Sequence, residues 1–369
     1  MIYIYLPAVP AEPIGGIQTL FDYANTLNGM SGKTIATIVS KVNYIRQILP
    51  RSYPLVPVLY KEPELVTSDI LVFPEVLLES VDKYPTENKK YLAVLNWQYF
   101  EFYTKRLKRP MPRIEGILTN SQFAKDKIEK VVDVPVFAIP HIIDANFSVK
   151  NSFAKREPNS ILILNRKNTH HIGKILSFLQ ALPHKVTIVN NVTPTKLAKL
   201  YNEHQIFISL GYPEGFGRPA AEAMACGCVV VGFTGGGGSD FMSDGFNSFT
   251  AKDSNEDELL QKLSHVLHRL NIQQKSDISA LAAHTIKSRY NPKTQSNVIG
   301  AIFAKDVGKT IKILKTAKSK AVTPLYAASS KETLEISLFH ERQKYQDIVS
   351  SKYFKIWQSL SSLRSIIPN

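Results

Sequence analysis

Short apolar runs alternate with amphipathic stretches of helical period along the first 300 residues, and this alternation confines the chain to parallel α/β architectures. Residues 2–6, 33–39, 69–73, 91–95, 116–119 and 136–139 read as short strands. Such near-continuous apolar runs suit strands covered on both faces. A helix is expected over 17–30, with Leu20, Tyr23/Ala24 and Leu27 on one face, and another over 122–131, opened by Ser121. A polar stretch at 146–159 (Lys150, Asn151, Ser152, Lys155, Arg156, Pro158) breaks the pattern and reads as an interdomain linker. The alternation then restarts with strands at 160–164, 185–189, 205–210 and 228–232. Helices are expected at 172–182, 218–225, 254–270 and 276–289. Thr193-Pro194, a cap followed by proline at the first helical position, starts a further helix to about His204. The expected fold is two Rossmann-like doubly wound domains, 1–145 and 146–290, followed by a helical basic extension, 291–369.

Composition narrows the function classes. The 369 residues carry 45 Lys+Arg against 31 Asp+Glu, a net charge of +14, and two Cys. Two cysteines cannot build a disulfide framework, so a reducing, cytoplasmic setting is expected. The N-terminus has no basic segment before its apolar run and meets Pro7, unlike a signal peptide. No run reaches the roughly 18 apolar residues of a spanning helix. Residues 301–369 hold twelve Lys/Arg and five Asp/Glu, so half of the excess charge lies in the last fifth. Nothing resembles a nucleic-acid recognition motif.

The densest chemical signal is SLGYPEGFGRPAAEAMACGCVVVG, residues 209–232. A strand ends, a Gly/Pro loop carries Glu214, Gly215, Phe216 and Gly217, and a helix opens near Arg218-Pro219. Glu222 falls in its first turn, eight positions after Glu214. Carboxylates suit sugar or ribose hydroxyls because each oxygen accepts a charge-assisted hydrogen bond. The glycine amides and helix start suit a phosphate. Arg166 and Lys167 follow the first strand of the second domain. His170-His171 lack the Cys or carboxylate company of a metal site and read as loop residues, and Cys226 and Cys228 read as buried thiols. The glycine run 235–238 suits either a diphosphate or a hinge.

The run EGFGRPAAE resembles the E-x7-E signature of retaining glycosyltransferases of the GT-B fold, family 4 type, and EAMACGCVVVG resembles the stretch that follows it. The resemblance covers about residues 1–300. It includes Gly15-Gly16, TNSQFAKD (119–126), IPHIIDANF (139–147, with His141 for the usual Asn) and DGFNS (244–248, ending in Ser instead of Gly). It implies two domains facing a cleft and a metal-independent transfer of a sugar from a nucleotide-diphospho-sugar to a hydroxyl of a glycan or lipid-linked acceptor. Glu222 would hold the ribose; Glu214 and the Phe216-Gly217 amides would meet the donor sugar. Gly15 and Gly16 would flank the donor, and Arg166 and Lys167 the diphosphate. Asp240 stands where the family has a Glu.

The first-domain loop Asn96-Trp97-Gln98, where family members often carry a His, is the expected acceptor side. Its aromatics suit sugar rings, and the bases at 105–113 suit a phosphate. In the tail, Lys305, Lys309, Lys312 and Lys315 share a helical face, and a last helix carries Trp357. Basic amphipathic helices suit an anionic membrane surface or a partner subunit. A sugar-nucleotide-binding assembly subunit with little catalysis is the alternative to an enzyme.

Overall fold

The computed structural model describes residues 1–7, 15–49, 51–180 and 184–303. Two parallel sheets organise them. The first contains β1 (Ile2–Tyr5), β2 (Ala36–Val39), β3 (Val58–Leu59), β4 (Ile70–Pro74), β5 (Lys89–Val94), β6 (Gly116–Thr119) and β7 (Val136–Ala138), in the order β3-β2-β1-β4-β5-β6-β7. Its helices are α1 (Gly15–Ser31), α2 (Trp97–Arg106) and α3 (Gln122–Ile128). The second contains β8 (Ile161–Leu164), β9 (Val186–Val189), β10 (Ile206–Ser209), β11 (Val229–Phe233) and β12 (Phe249–Ala251), in the order β12-β11-β10-β8-β9. With it go α4 (His171–Leu179), α5 (Pro194–Glu203), α6 (Arg218–Ala225), α7 (Glu256–His268) and α8 (Ile272–Arg289).

The apolar runs have a simple cause. On β4, Ile70 and Val72 enter one core while Leu71 and Phe73 enter the core on the opposite face. Alternate side chains leave opposite faces of a strand, so a strand covered on both sides has no polar positions. The second sheet repeats this, with Phe207 in one core and Ile206 and Ile208 in the other.

Both sheets reverse their strand order once, between β1 and β4 and between β8 and β10. Crevices open beyond the strand ends at such points. Glu75, which opens a 3-10 helix (Glu75–Lys83) directly after β4, lies there in the first domain, and loops carry Arg166, Lys167 and Glu214 there in the second. A last helix, α9 (Pro292–Phe303), returns to the first domain: Ile299 and Phe303 join the α1 core, and Gln295 bonds Thr26 (2.6 Å) and the Pro140 carbonyl (2.9 Å).

Several local expectations are corrected. Residues 97–106 form a helix, because Asn96 accepts the Gln98 N–H (3.0 Å) as its cap; aromatic density had masked the start signal. The stretch 146–159 is no free linker. Arg156 is buried and donates to the carbonyls of Tyr201, His204, Gly227, Asn151 and Cys226, fixing the stretch to the second domain. The helix expected to reach residue 131 ends at Ile128. His171 is no loop residue; it heads α4, buried, between Glu256 (2.6 Å) and the Tyr212 hydroxyl (2.9 Å). The basic helical faces expected beyond residue 303 lie outside the described residues.

Candidate active site

The second-domain wall is built largely from backbone. After β10 the chain runs through Tyr212 and Pro213 to Glu214, whose N–H donates to the Gly235 carbonyl (2.7 Å) and whose carbonyl accepts the Gly237 N–H (3.2 Å). Asn168 pins the same loop from the β8 side, donating to the carbonyls of Leu210 (2.9 Å) and Tyr212 (2.7 Å). Gly217 has φ +90, which favours glycine, and turns the chain into α6. The Phe216 side chain is buried against His141, Phe241 and Tyr290, so it packs the loop rather than facing a ligand.

Onto this frame the sequence-predicted residues converge. Lys167 Nζ bonds the Pro213 carbonyl (2.5 Å) and Glu214 Oε1 (3.1 Å). Arg166, Lys167, Ser209, Glu214, Gly217 and Thr234 line one cavity. Glu222 is the fifth residue of α6, at the start of its second turn rather than in its first. It is not among the residues lining that cavity. It lies 3.5 Å from Arg218 Nε, and burial raises its carboxyl, opposed by Arg218 and Arg166. In the cavity itself, the Glu214 carboxylate stands beside the cations of Arg166 and Lys167, a set chemically suited to hydroxyls and to a diphosphate.

The first-domain wall meets this frame closely. Gly15 lies against Arg218, where a Cβ would stand 3.7 Å from Cδ, and Gly16 against Leu95 (3.2 Å). A Cβ on Gly215 would overlap the Leu95 carbonyl. Asn96 caps α2, Gln98 is exposed, and Trp97 is half-buried edge-on to Phe123 (6.1 Å). Asp240 serves the interdomain contact: its carboxylate accepts the N–H groups of Gln122 (2.6 Å) and Phe123 (3.1 Å) at the start of α3. Burial raises its carboxyl, opposed by those two bonds.

One buried cluster escaped the sequence reading. Asp22 of α1 pairs with Arg51 and accepts the Tyr53 hydroxyl (2.7 Å), and Arg51 also reaches Asp144 (3.1 Å). His141 lies 3.4 Å from Thr19 Oγ1; burial, aided by Arg218, lowers its pKa well below the ordinary range. An aspartate between Phe21 and Tyr23 on the buried face of a helix was the available signal, since a charge there requires a partner. Among the described residues no group of His, Cys, Asp and Glu is placed to hold a metal, and no helix is long and apolar enough to cross a membrane.

The comparisons agree with this geometry. Residues 178–280 match the family described as glycosyl transferases group 1. The alpha-1,6-glucosyltransferase of Actinobacillus pleuropneumoniae serotype 7 (strain AP76) is 28% identical over 245 residues, covering 63% of this chain and 72% of that protein. Among solved structures, Anabaena HepE in complex with UDP-glucose superposes with TM-score 0.62 at 14% identity, over 83% of this chain and 100% of that one. Staphylococcus aureus TarM, solved with fondaparinux, alpha-GlcNAc-glycerol and UDP, gives TM-score 0.53 at 14% identity. That match spans 64% of this chain and 55% of TarM. The two parallel-sheet domains thus have the GT-B architecture. Within the second, residues 178–280 are the part that matches glycosyl transferases group 1.

Proposed function

We propose that the chain is a retaining hexosyltransferase that needs no metal and moves a sugar from a nucleotide-diphospho-sugar to a hydroxyl of a glycan or lipid-linked acceptor, in surface polysaccharide or glycoconjugate synthesis. The observation that carries the reading is the convergence of Arg166, Lys167 and Glu214 at the strand reversal of the second sheet. In the reaction the bond from the anomeric carbon to the diphosphate oxygen breaks. The acceptor oxygen bonds that carbon on the same face, and its proton passes to the departing diphosphate. Arg166 and Lys167 stabilise the charge that develops there. Glu214 orients the sugar hydroxyls, and Glu222 the ribose. Asn96, Trp97 and Gln98 receive the acceptor. UDP-glucose is the donor to try first, since the HepE neighbour holds it. The net +7 of residues 301–369 supports a peripheral place on an anionic inner membrane face.

Release of UDP from UDP-glucose, with the anomer formed first followed by NMR, tests the reading. Arg166→Ala or Lys167→Ala should each lower turnover by on the order of 100-fold, and the α anomer should appear first. No turnover by the wild type with any nucleotide-sugar, or a β product, defeats it.

A further inference from the structure

The carboxyl group of Glu75 takes no part in the transfer chemistry above, yet it is 3% exposed and stands directly after β4, where the first sheet reverses its order. Its oxygens accept the N–H groups of Leu95 (3.2 Å) and Asn96 (3.0 Å), which join β5 to α2. The Leu95 carbonyl, in the same peptide unit as the Asn96 N–H, accepts the side-chain amide of Asn120 (3.0 Å). It is also the atom that a Cβ on Gly215 would overlap. One peptide unit is therefore gripped at its N–H by Glu75 and at its carbonyl by Asn120, and is pressed against the Glu214–Gly215 loop of the second domain. Asn96 in turn caps α2, so the direction in which Trp97 and Gln98 leave the cleft edge follows from this peptide.

We propose that Glu75 is a positioning residue: it fixes the Leu95–Asn96 peptide as the first-domain lip of the cleft, and the lip is tight only while both carboxyl oxygens accept hydrogen bonds. Burial, opposed by the backbone N–H groups of Leu95, of Glu75 itself and of Asn96, pushes this carboxyl up to about 7. The titratable group facing it is the Tyr23 phenol of α1, itself raised by burial, with the Asp22–Arg51 pair beyond. Leu95 and Asn96 from the β5 side and Asn120 from the end of β6 bring no charge. When Glu75 takes up a proton, one oxygen becomes a donor among donors, and one backbone N–H loses its acceptor in a site closed to water. The lip is thus braced on the basic side of about pH 7 and loosened on the acid side.

Trp97 reports the state of the lip. It stands one residue past the clamped peptide, edge-on to Phe123, with the Lys127 ammonium 5.7 Å from its ring centre. In a Trp357→Phe background Trp97 is the one remaining tryptophan, and its emission is followed as the protein is titrated through about pH 7. A single transition near about 7 that disappears in Glu75→Gln is the expected result. Turnover of UDP-glucose should fall about tenfold per pH unit below that midpoint in the wild type and lose this dependence in Glu75→Gln. No Trp97 transition in the unsubstituted site, or an unchanged transition in Glu75→Gln, overturns the proposal. If Glu75→Gln does not fold, Glu75→Asp carries the comparison, because a shorter carboxyl must move the midpoint and an unmoved midpoint overturns it. The emission arm requires no donor, so it stands or falls apart from the transferase reading.

Discussion

The two walls of the cleft are built by different physics. The second-domain wall is held by backbone: Glu214, in the loop after β10, pairs through its N–H and carbonyl with Gly235 and Gly237, in the loop after β11, and glycines permit the contacts. The first-domain wall is assembled from places far apart in the chain, with Glu75, Leu95–Asn96 and Asn120 meeting over one peptide and Asp22, Arg51 and Asp144 meeting behind α1. A wall of backbone is sensitive to added atoms. A wall of side chains is sensitive to lost partners and to protons.

This contrast can be tested from both sides. The largest loss is expected at Glu222, where alanine removes a carboxylate from the proposed ribose site and leaves Arg218 without its 3.5 Å partner. Affinity for UDP should fall roughly 10- to 150-fold, the equivalent of about 1.5–3 kcal/mol, by calorimetry. An unchanged affinity would take Glu222 out of the donor site. Gly215→Ala probes the backbone wall. Its Cβ meets the Leu95 carbonyl, so overpacking of about 1–3 kcal/mol should lower the thermal midpoint by a few degrees. A midpoint equal to that of the wild type would show that the two walls do not touch in solution. The smallest effect belongs to Asp240→Asn, which trades one of two acceptor oxygens at the start of α3 for a donor. A loss of about 1 kcal/mol is expected in denaturant unfolding. An equally stable variant would remove this carboxylate from the interdomain contact.

The same contrast explains what could be read from the sequence. Strand and helix alternation depends on neighbours in the chain, so the strands of both sheets were legible except the short edge strands β3 and β12, and the helix at 218–225 was placed to the residue. The loop around Glu214 was legible because its parts are adjacent. Arg166 and Lys167 were legible by their place after the first strand of the second domain. Glu75 was not, because it lies 20 residues from Leu95 and its meaning depends on a long-range bond. Nor was the interdomain service of Asp240, whose partners are 118 and 117 residues away. The α2 helix was missed for another reason: its capping asparagine stands in an aromatic run that reads as a loop.

The central claim is that the second-domain wall receives a nucleoside diphosphate. Thermal unfolding of the full chain with UDP, GDP, ADP and dTDP tests it most directly, because a ligand bound only to the folded state stabilises it by about 2.7 kcal/mol at a hundred times its dissociation constant. One of the four should raise the midpoint by several degrees, and Arg166→Ala should diminish that rise. If none of the four moves the midpoint at saturating concentration, the second-domain wall is not a nucleotide site.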